Sequence, residues 1–258
     1  MTIPAHVLTA FTSSSTVDLG DGEPVQLGPE WGYGQALGSV VFTPASDTAH
    51  FSARVRDKLS ISGVRVSRPL RSTDGRFVVG GYAASTLIDG HLAERADEAV
   101  AASLRIADSL NPIAPPGGSA RGDAFAQAER QAFAEAEERF GSIDAPLQVG
   151  HADVAGTLLF DGPHAPGLTD VVPFAEVRPH AATAAWCIAD HLIYGVRDEV
   201  DLSLLDRFAH IPDVEHLVWA GVRYRELVAE GFPDVNSLTC SNISRVKEAL
   251  MSRSSDTI

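Results

Sequence analysis

The chain has 258 residues, 45% of them hydrophobic, with 20 basic and 34 acidic side chains and a formal net charge of −14. That is apolar material for one large domain or two small lobes around a packed core, which excludes a disordered chain. A surface this acidic repels phosphate backbones and anionic headgroups, so the expected partners are small molecules or proteins and neither nucleic acid nor membrane.

Pro4 at a first helical position, with Val7, Leu8 and Phe11 at helical spacing, predicts an opening helix that ends at Ser13-Ser14-Ser15. Strand texture follows: Val17 and Leu19, then Val25 and Leu27, about the Asp21-Gly22 turn, and Ser39-Val40-Val41-Phe42 between Gly38 and Pro44. Between these runs lies the glycine-rich stretch Gly28-Pro29-Glu30-Trp31-Gly32-Tyr33-Gly34. Ser46 or Asp47 is placed to cap a helix that runs to Leu59, and strands are expected over residues 64–70 and 76–88, joined by Thr73-Asp74-Gly75. An alanine-rich helix is expected over residues 91–110, followed by a Pro- and Gly-rich loop over 111–119, the best candidate for a mobile segment.

A helix over residues 123–140 comes next, carrying Glu129, Glu135, Glu137 and Glu138, the last three read as a solvated face. Short strands are expected over 147–149, 157–160 and 168–171, with Asp161-Gly162-Pro163 as a turn. The remainder reads as helices over 182–194, 202–208 and 213–228 and near 244–250, with a polar tail after Met251. The pattern is α+β: a β-rich N-terminal lobe over residues 1–87, an antiparallel sheet with one helix, and a mainly helical C-terminal lobe over 88–258 that holds the short strands.

Cys187 and Cys240 stand apart from each other and from any CxxC pair, which suits buried thiols in a reducing compartment and offers no thiolate zinc site. Met1-Thr2-Ile3-Pro4 lacks a basic leader region, and no apolar run reaches the ~18 residues of a membrane helix. A cytoplasmic location is the expectation.

The stretch that carries chemistry is His151-Ala152-Asp153, then Gly156-Thr157-Leu158-Leu159-Phe160, then Thr169-Asp170-Val171. Two aspartates at the edges of adjacent short strands supply what phosphoryl transfer asks of side chains. One carboxylate accepts the proton of the substrate hydroxyl, and the other holds the magnesium ion on the phosphates. Taken alone, His151 and Asp153 also fit a hydrogen-bonding pair that ties two strands, Asp170 fits a turn residue, and Gly32 and Gly34 fit a hairpin. The order of parts lifts them above those readings: a glycine-rich hairpin, a helix, two strands, a helical section, and only then the two aspartates.

In that order and in these motifs the chain resembles the aminoglycoside-phosphotransferase-like group of the protein-kinase-like fold over nearly its whole length, and within it an uncharacterised actinobacterial branch. The group's catalytic loop reads His-Gly-Asp followed by Asn, and a later strand ends in Asp. His151, Ala152 and Asp153 match the first triplet with its glycine replaced, Thr157 stands at the metal-binding Asn, and Asp170 matches the second aspartate. The run from Thr169 to Phe174, followed by Trp186 and Asp190, is the part most like that branch. The resemblance implies that Asp153 and His151 form the catalytic loop, that Asp170 and Thr157 hold Mg²⁺, and that Asp190 braces the loop. It also implies that Gly32, Tyr33 and Gly34 cover the phosphates of ATP in a cleft between two lobes.

Two expected groups are replaced. Thr43 stands where the phosphate-binding lysine belongs, and neither Lys58 nor Lys247, the only lysines, is at that position. The following helix has Asp47 and Asp57 as its only acids; it offers Arg54, Arg56 and Lys58, any of which can point inward. Loss of a phosphate cation removes on the order of several kcal/mol of charge stabilisation, more than a thousandfold in rate. The reading is therefore a degenerate kinase-like protein that binds a nucleotide or small metabolite, or a protein partner, with little or no phosphotransfer. The alternative is an active ATP- and Mg²⁺-dependent phosphotransferase acting on a small hydroxylated molecule. Metal-dependent hydrolysis on His151, Asp153 and Asp170 is weaker, because no third histidine or glutamate has matching spacing.

Overall fold

Strand β3 (Val40–Pro44) sets the first layer, because its side chains alternate between two differently filled faces. In the computed structural model, which describes residues 3–12, 19, 22–116, 122–231 and 236–255, Val40 and Phe42 face helix α1 (Ala5–Thr12). There they pack with Ile3, Val7 and Phe11, and the Phe11 and Phe42 rings meet edge to face at 6.1 Å. Val41 takes the opposite face, with Trp31 and Leu159. The sheet around β3 is antiparallel with the order β1-β2-β3-β6-β5, where β1 is Val25–Gln26, β2 Gln35–Leu37, β5 Val78–Val79 and β6 Tyr82–Thr86. Helix α2 (Ala49–Lys58) follows β3 and buries Phe51, Ser52, Ala53, Val55 and Arg56.

Several elements differ from the sequence expectation for local reasons. The strand expected over 76–88 is a hairpin, broken where Gly80 and Gly81 both take positive φ, 58° and 78°. Glycine enters two successive positive-φ positions at no steric cost, which makes this pair a hairpin turn. Of the strand expected over 64–70, β4 (Arg65–Val66) forms, and beyond it Pro69, which has no N–H to donate, makes only an isolated antiparallel bridge with Ser85. β4 pairs in parallel with β9 (Gly167–Leu168), which is antiparallel to β8 (Leu158–Leu159). Val17 and Asp21, part of the first expected hairpin, and 117–119 of the expected loop lie outside the described residues.

Two compact units result: Met1–Ala93 with Gly156–Val172, and Glu94–Ala155 with Pro173–Ile258. The second is built on α3 (Ala96–Leu110), α4 (Ala124–Phe140), α6 (Ala182–Tyr194), α8 (Val214–Gly231) and α9 (Ser237–Ser255). The short helices α5 (Val154–Thr157) and α7 (Ser203–Arg207) and the two-residue strands β7 (Leu147–Gln148) and β10 (Arg178–Pro179) complete the α-helices and β-strands of the described residues. The side chain of Asp123 caps α4 at the amide of Ala126, 2.9 Å. α9 is longer than the expected 244–250 because Asn236 accepts from the amide of Leu238 at 2.8 Å and starts the helix early. α6 is buried on nearly every side, and α8 approaches it at Gly221, where a Cβ would lie 2.9 Å from that of Ala189. Cys187 is buried there and Cys240 partly so. Among the described residues no helix is long and apolar enough to cross a membrane.

α6 also carries a titration. Burial holds the His191 imidazole below its ordinary value, against the pull of Asp190, Glu94 and Asp97, and its Nε2 is buried with no hydrogen-bond partner among the described residues. The unfolded chain takes up this proton more readily than the folded one. The stabilising contribution is therefore complete above about pH 6.5 and is lost as pH falls through the lower, folded value. Denaturant titrations across this range are expected to show His191→Leu with a flatter acid limb than the natural protein, by at most about 1.4 kcal/mol per pH unit. Parallel limbs would refute the assignment.

Candidate functional site

In the first unit, the turn after β1 begins with a single turn of 3-10 helix, Pro29–Trp31, closed by Gly32 in the left-handed region at φ 56°. The chain then folds down onto β3. A Cβ on Gly34 would lie 2.7 Å from the carbonyl oxygen of Phe42 and 2.8 Å from the hydroxyl of Thr43, so only glycine fits. Thr43 shares the Val41 face of β3 and donates to the carbonyl of Trp31 at 3.4 Å. Tyr33, also at positive φ, is exposed at the tip, and the Gln26 side chain holds the carbonyls of Tyr33 and Gly34 at 2.7 and 3.0 Å. Trp31 turns inward, 7% exposed, against Val41 and Leu159, with Leu27, Leu87 and Ile88 around them.

The same unit holds Thr157 and Asp170 at the two ends of the β8–β9 hairpin. The amide and hydroxyl of Thr169 both donate to the carbonyl of Thr157, at 2.9 and 3.1 Å, and the hydroxyl also donates to the carbonyl of Glu30 at 2.8 Å. The hairpin is thereby tied to the glycine-rich turn, and the Thr157 side chain is buried. Asp170 is reached from α2. Ser52 donates to its Oδ1, the Val171 amide donates to the same oxygen at 2.9 Å, and Arg56 Nε lies 3.4 Å from it. Arg56 is 8% exposed and also donates to the Ser52 hydroxyl at 3.0 Å and to the carbonyl of Ser67 at 2.9 Å. Burial lowers its guanidinium from the ordinary value and the charge of Asp170 opposes that; at arginine's basicity it stays a cation.

In the second unit, His151 is fully buried and acts on the backbone. Its amide donates to the hydroxyl of Thr183 at 3.0 Å, and its Nδ1 accepts from the amide of Asp153 at 3.3 Å. The carboxylate of Asp153 remains partly open to solvent, but one oxygen meets Arg225 Nη2 at 3.3 Å. Arg225 grips buried Asp190 with two bonds of 2.6 Å each, in the parallel geometry that a guanidinium offers a carboxylate. Asp190 thus reaches the loop through Arg225. Burial opposes the charge on this arginine, and the charge and hydrogen bonds of Asp190, with Asp153 adding to them, hold it well above the ordinary value. Tyr224 stacks on Trp186 at 4.5 Å beside this group, and burial pushes its hydroxyl up to about 12.

The acids were singled out by the sequence; Ser52 and Arg225 were not, and Arg56 was only one of three choices. The missing signal is positional. Arg56 follows Ser52 by four residues on a face shared with Val55 and Leu59, and Arg225 continues the buried stripe of Val218, Gly221 and Val222. An arginine on an apolar stripe needs a buried acid. The residues expected to hold Mg²⁺ do not fit one. Asp170 Oδ1 already has three partners, one of them a cation, so a metal there would have only the exposed Oδ2 to bind, beside a guanidinium, and the Thr157 side chain is buried.

No protein-family model and no curated protein sequence matches the chain. Solved structures do. The aminoglycoside phosphotransferase from Alicyclobacillus acidocaldarius subsp. acidocaldarius DSM 446 is similar over 97% of this chain and 93% of its own, at 14% identity and a TM-score of 0.57. A thermostable mutant of aminoglycoside phosphotransferase APH(4)-Ia, in ternary complex with AMP-PNP and hygromycin B, is similar over 96% of this chain and 99% of its own, at 13% identity and a TM-score of 0.52. The small antiparallel sheet and helical part are those of the α+β, protein-kinase-like fold of aminoglycoside phosphotransferases. At these identities the likeness is one of fold.

Proposed function

We propose that the chain is a degenerate member of the aminoglycoside-phosphotransferase-like group, of the actinobacterial branch it resembles, that binds a nucleotide or small metabolite with little or no phosphotransfer. One observation carries the reading: each acid that the chemistry would use is engaged by an arginine of its own unit, Asp170 by Arg56 and Asp153 by Arg225. A guanidinium at a carboxylate oxygen occupies a position that a substrate hydroxyl or a metal ion would otherwise take. Thr43 in place of a phosphate cation acts in the same direction. In this reading Gly32, Tyr33, Gly34 and Thr43 of the first unit bind the nucleotide, and in the second unit His151 positions the backbone of Asp153, whose carboxylate is partly exposed. AMP-PNP in the APH(4)-Ia complex supports a nucleotide as the first ligand to try.

The alternative, an active phosphotransferase on a small hydroxylated substrate, is favoured by the exposed part of the Asp153 carboxylate. Calorimetric titration with ATP and transfer of labelled phosphate from ATP to hygromycin B or water separate the two. Saturable binding with transfer no faster than in buffer is expected. Transfer that disappears in Asp153→Ala would establish the alternative, and absence of heat at millimolar ATP would end the nucleotide reading.

A further inference from the structure

We infer that Arg56 takes the place of a divalent cation at Asp170, so that ligand binding by this protein is independent of metal. The inference rests on the nucleotide reading for its second arm alone. The first observation is charge. The guanidinium of Arg56, 3.4 Å from Asp170 Oδ1, neutralises a carboxylate that would otherwise present a full negative charge to a metal. A dication on the other oxygen of the same carboxylate would sit against a fixed positive group that cannot lose its proton. The second observation is geometry. Oδ1 also accepts from the Ser52 hydroxyl and from the Val171 amide at 2.9 Å, so this oxygen is taken and a metal could use Oδ2 alone, without chelation by both oxygens.

The third observation is that Arg56 is held from both sides. Its Nε donates to Ser52 at 3.0 Å and its Nη1 to the carbonyl of Ser67 at 2.9 Å, while its own carbonyl accepts from Arg68 at 2.6 Å. A surface arginine would swing aside for a metal; this one would leave the buried Ser67 carbonyl without its donor. The arrangement supplies one positive charge at a fixed point, where a metal would supply two and its own waters.

The test has two arms. In the first, protein is titrated against Mn²⁺ and the free-ion paramagnetic resonance signal is read. The natural protein is expected to leave millimolar Mn²⁺ free, and Arg56→Gln, which removes the competing cation from beside Asp170, to bind it through Oδ2. Stoichiometric Mn²⁺ on the natural protein, abolished by Asp170→Asn, overturns the inference, and that result requires no Arg56 variant to fold. In the second arm, ATP is titrated with Mg²⁺ and with a chelator. Affinities equal to within about twofold are expected, and a Mg²⁺ dependence of about tenfold or more overturns the inference. If ATP binds in neither buffer, the nucleotide reading fails and the Mn²⁺ arm alone decides this one.

Discussion

Arg225→Met is expected to lower the stability of the second unit by about 3–5 kcal/mol, the cost of leaving a buried carboxylate without its cation. Asp190 is 3% exposed and both of its oxygens are bonded to Arg225 at 2.6 Å, so water cannot replace the lost partner without opening the α6–α8 contact. Thermal unfolding should register the change as a drop of roughly 10 °C for a chain of this size. The double variant Arg225→Met with Asp190→Leu is the informative companion. Replacing both charges by apolar groups removes the desolvation penalty along with the attraction, so it should recover most of the loss. A single variant within about 1 kcal/mol of the natural protein would show that the pair is solvated.

The second large effect is expected from Trp31→Ala, a loss of about 3–5 kcal/mol from the first unit. Its ring fills the layer between Val41 and Leu159, and the backbone around it is already fixed by the Thr169–Glu30 bond and by the close approach of Gly34 to β3. A turn held at both ends cannot collapse into the vacancy, so the cavity term should add to the transfer term. Trp31→Phe keeps an aromatic group in the layer and should lose less. Denaturant midpoints of the two variants, with unchanged slopes, measure this; equal losses would mean that the layer is not what the indole supports.

Much of this was legible in the residues. The helix over 123–140 and that over 182–194 were readable because Asp123 is a cap and the alanine-rich apolar stretch of α6 runs unbroken. The β-hairpin of residues 78–86 was hidden because Gly80-Gly81 was read as part of one long strand, and α9 because its polar start depends on the Asn236 cap. Glu135 was read as solvated, yet it holds Arg223 at 2.6 Å, a partner 88 residues away that no local pattern announces. The site divides in the same way. Acids stand in short motifs, and His151, Asp153 and Asp170 could be picked out by order alone. Arginines reach their partners from other elements: Arg56 acts across 114 positions of sequence and Arg225 across 72. Long side chains turn such contacts into properties of the fold.

Eighteen of the twenty basic residues are arginines, and both acids of the candidate site are held by members of that set. A lysine in either role would lose its charge when acetylated. Arginine keeps its charge even when methylated, and retains its proton at any pH a cell reaches. Acylation, which would discharge a lysine, therefore cannot discharge the cation of either pairing, Arg56 on α2 or Arg225 on α8.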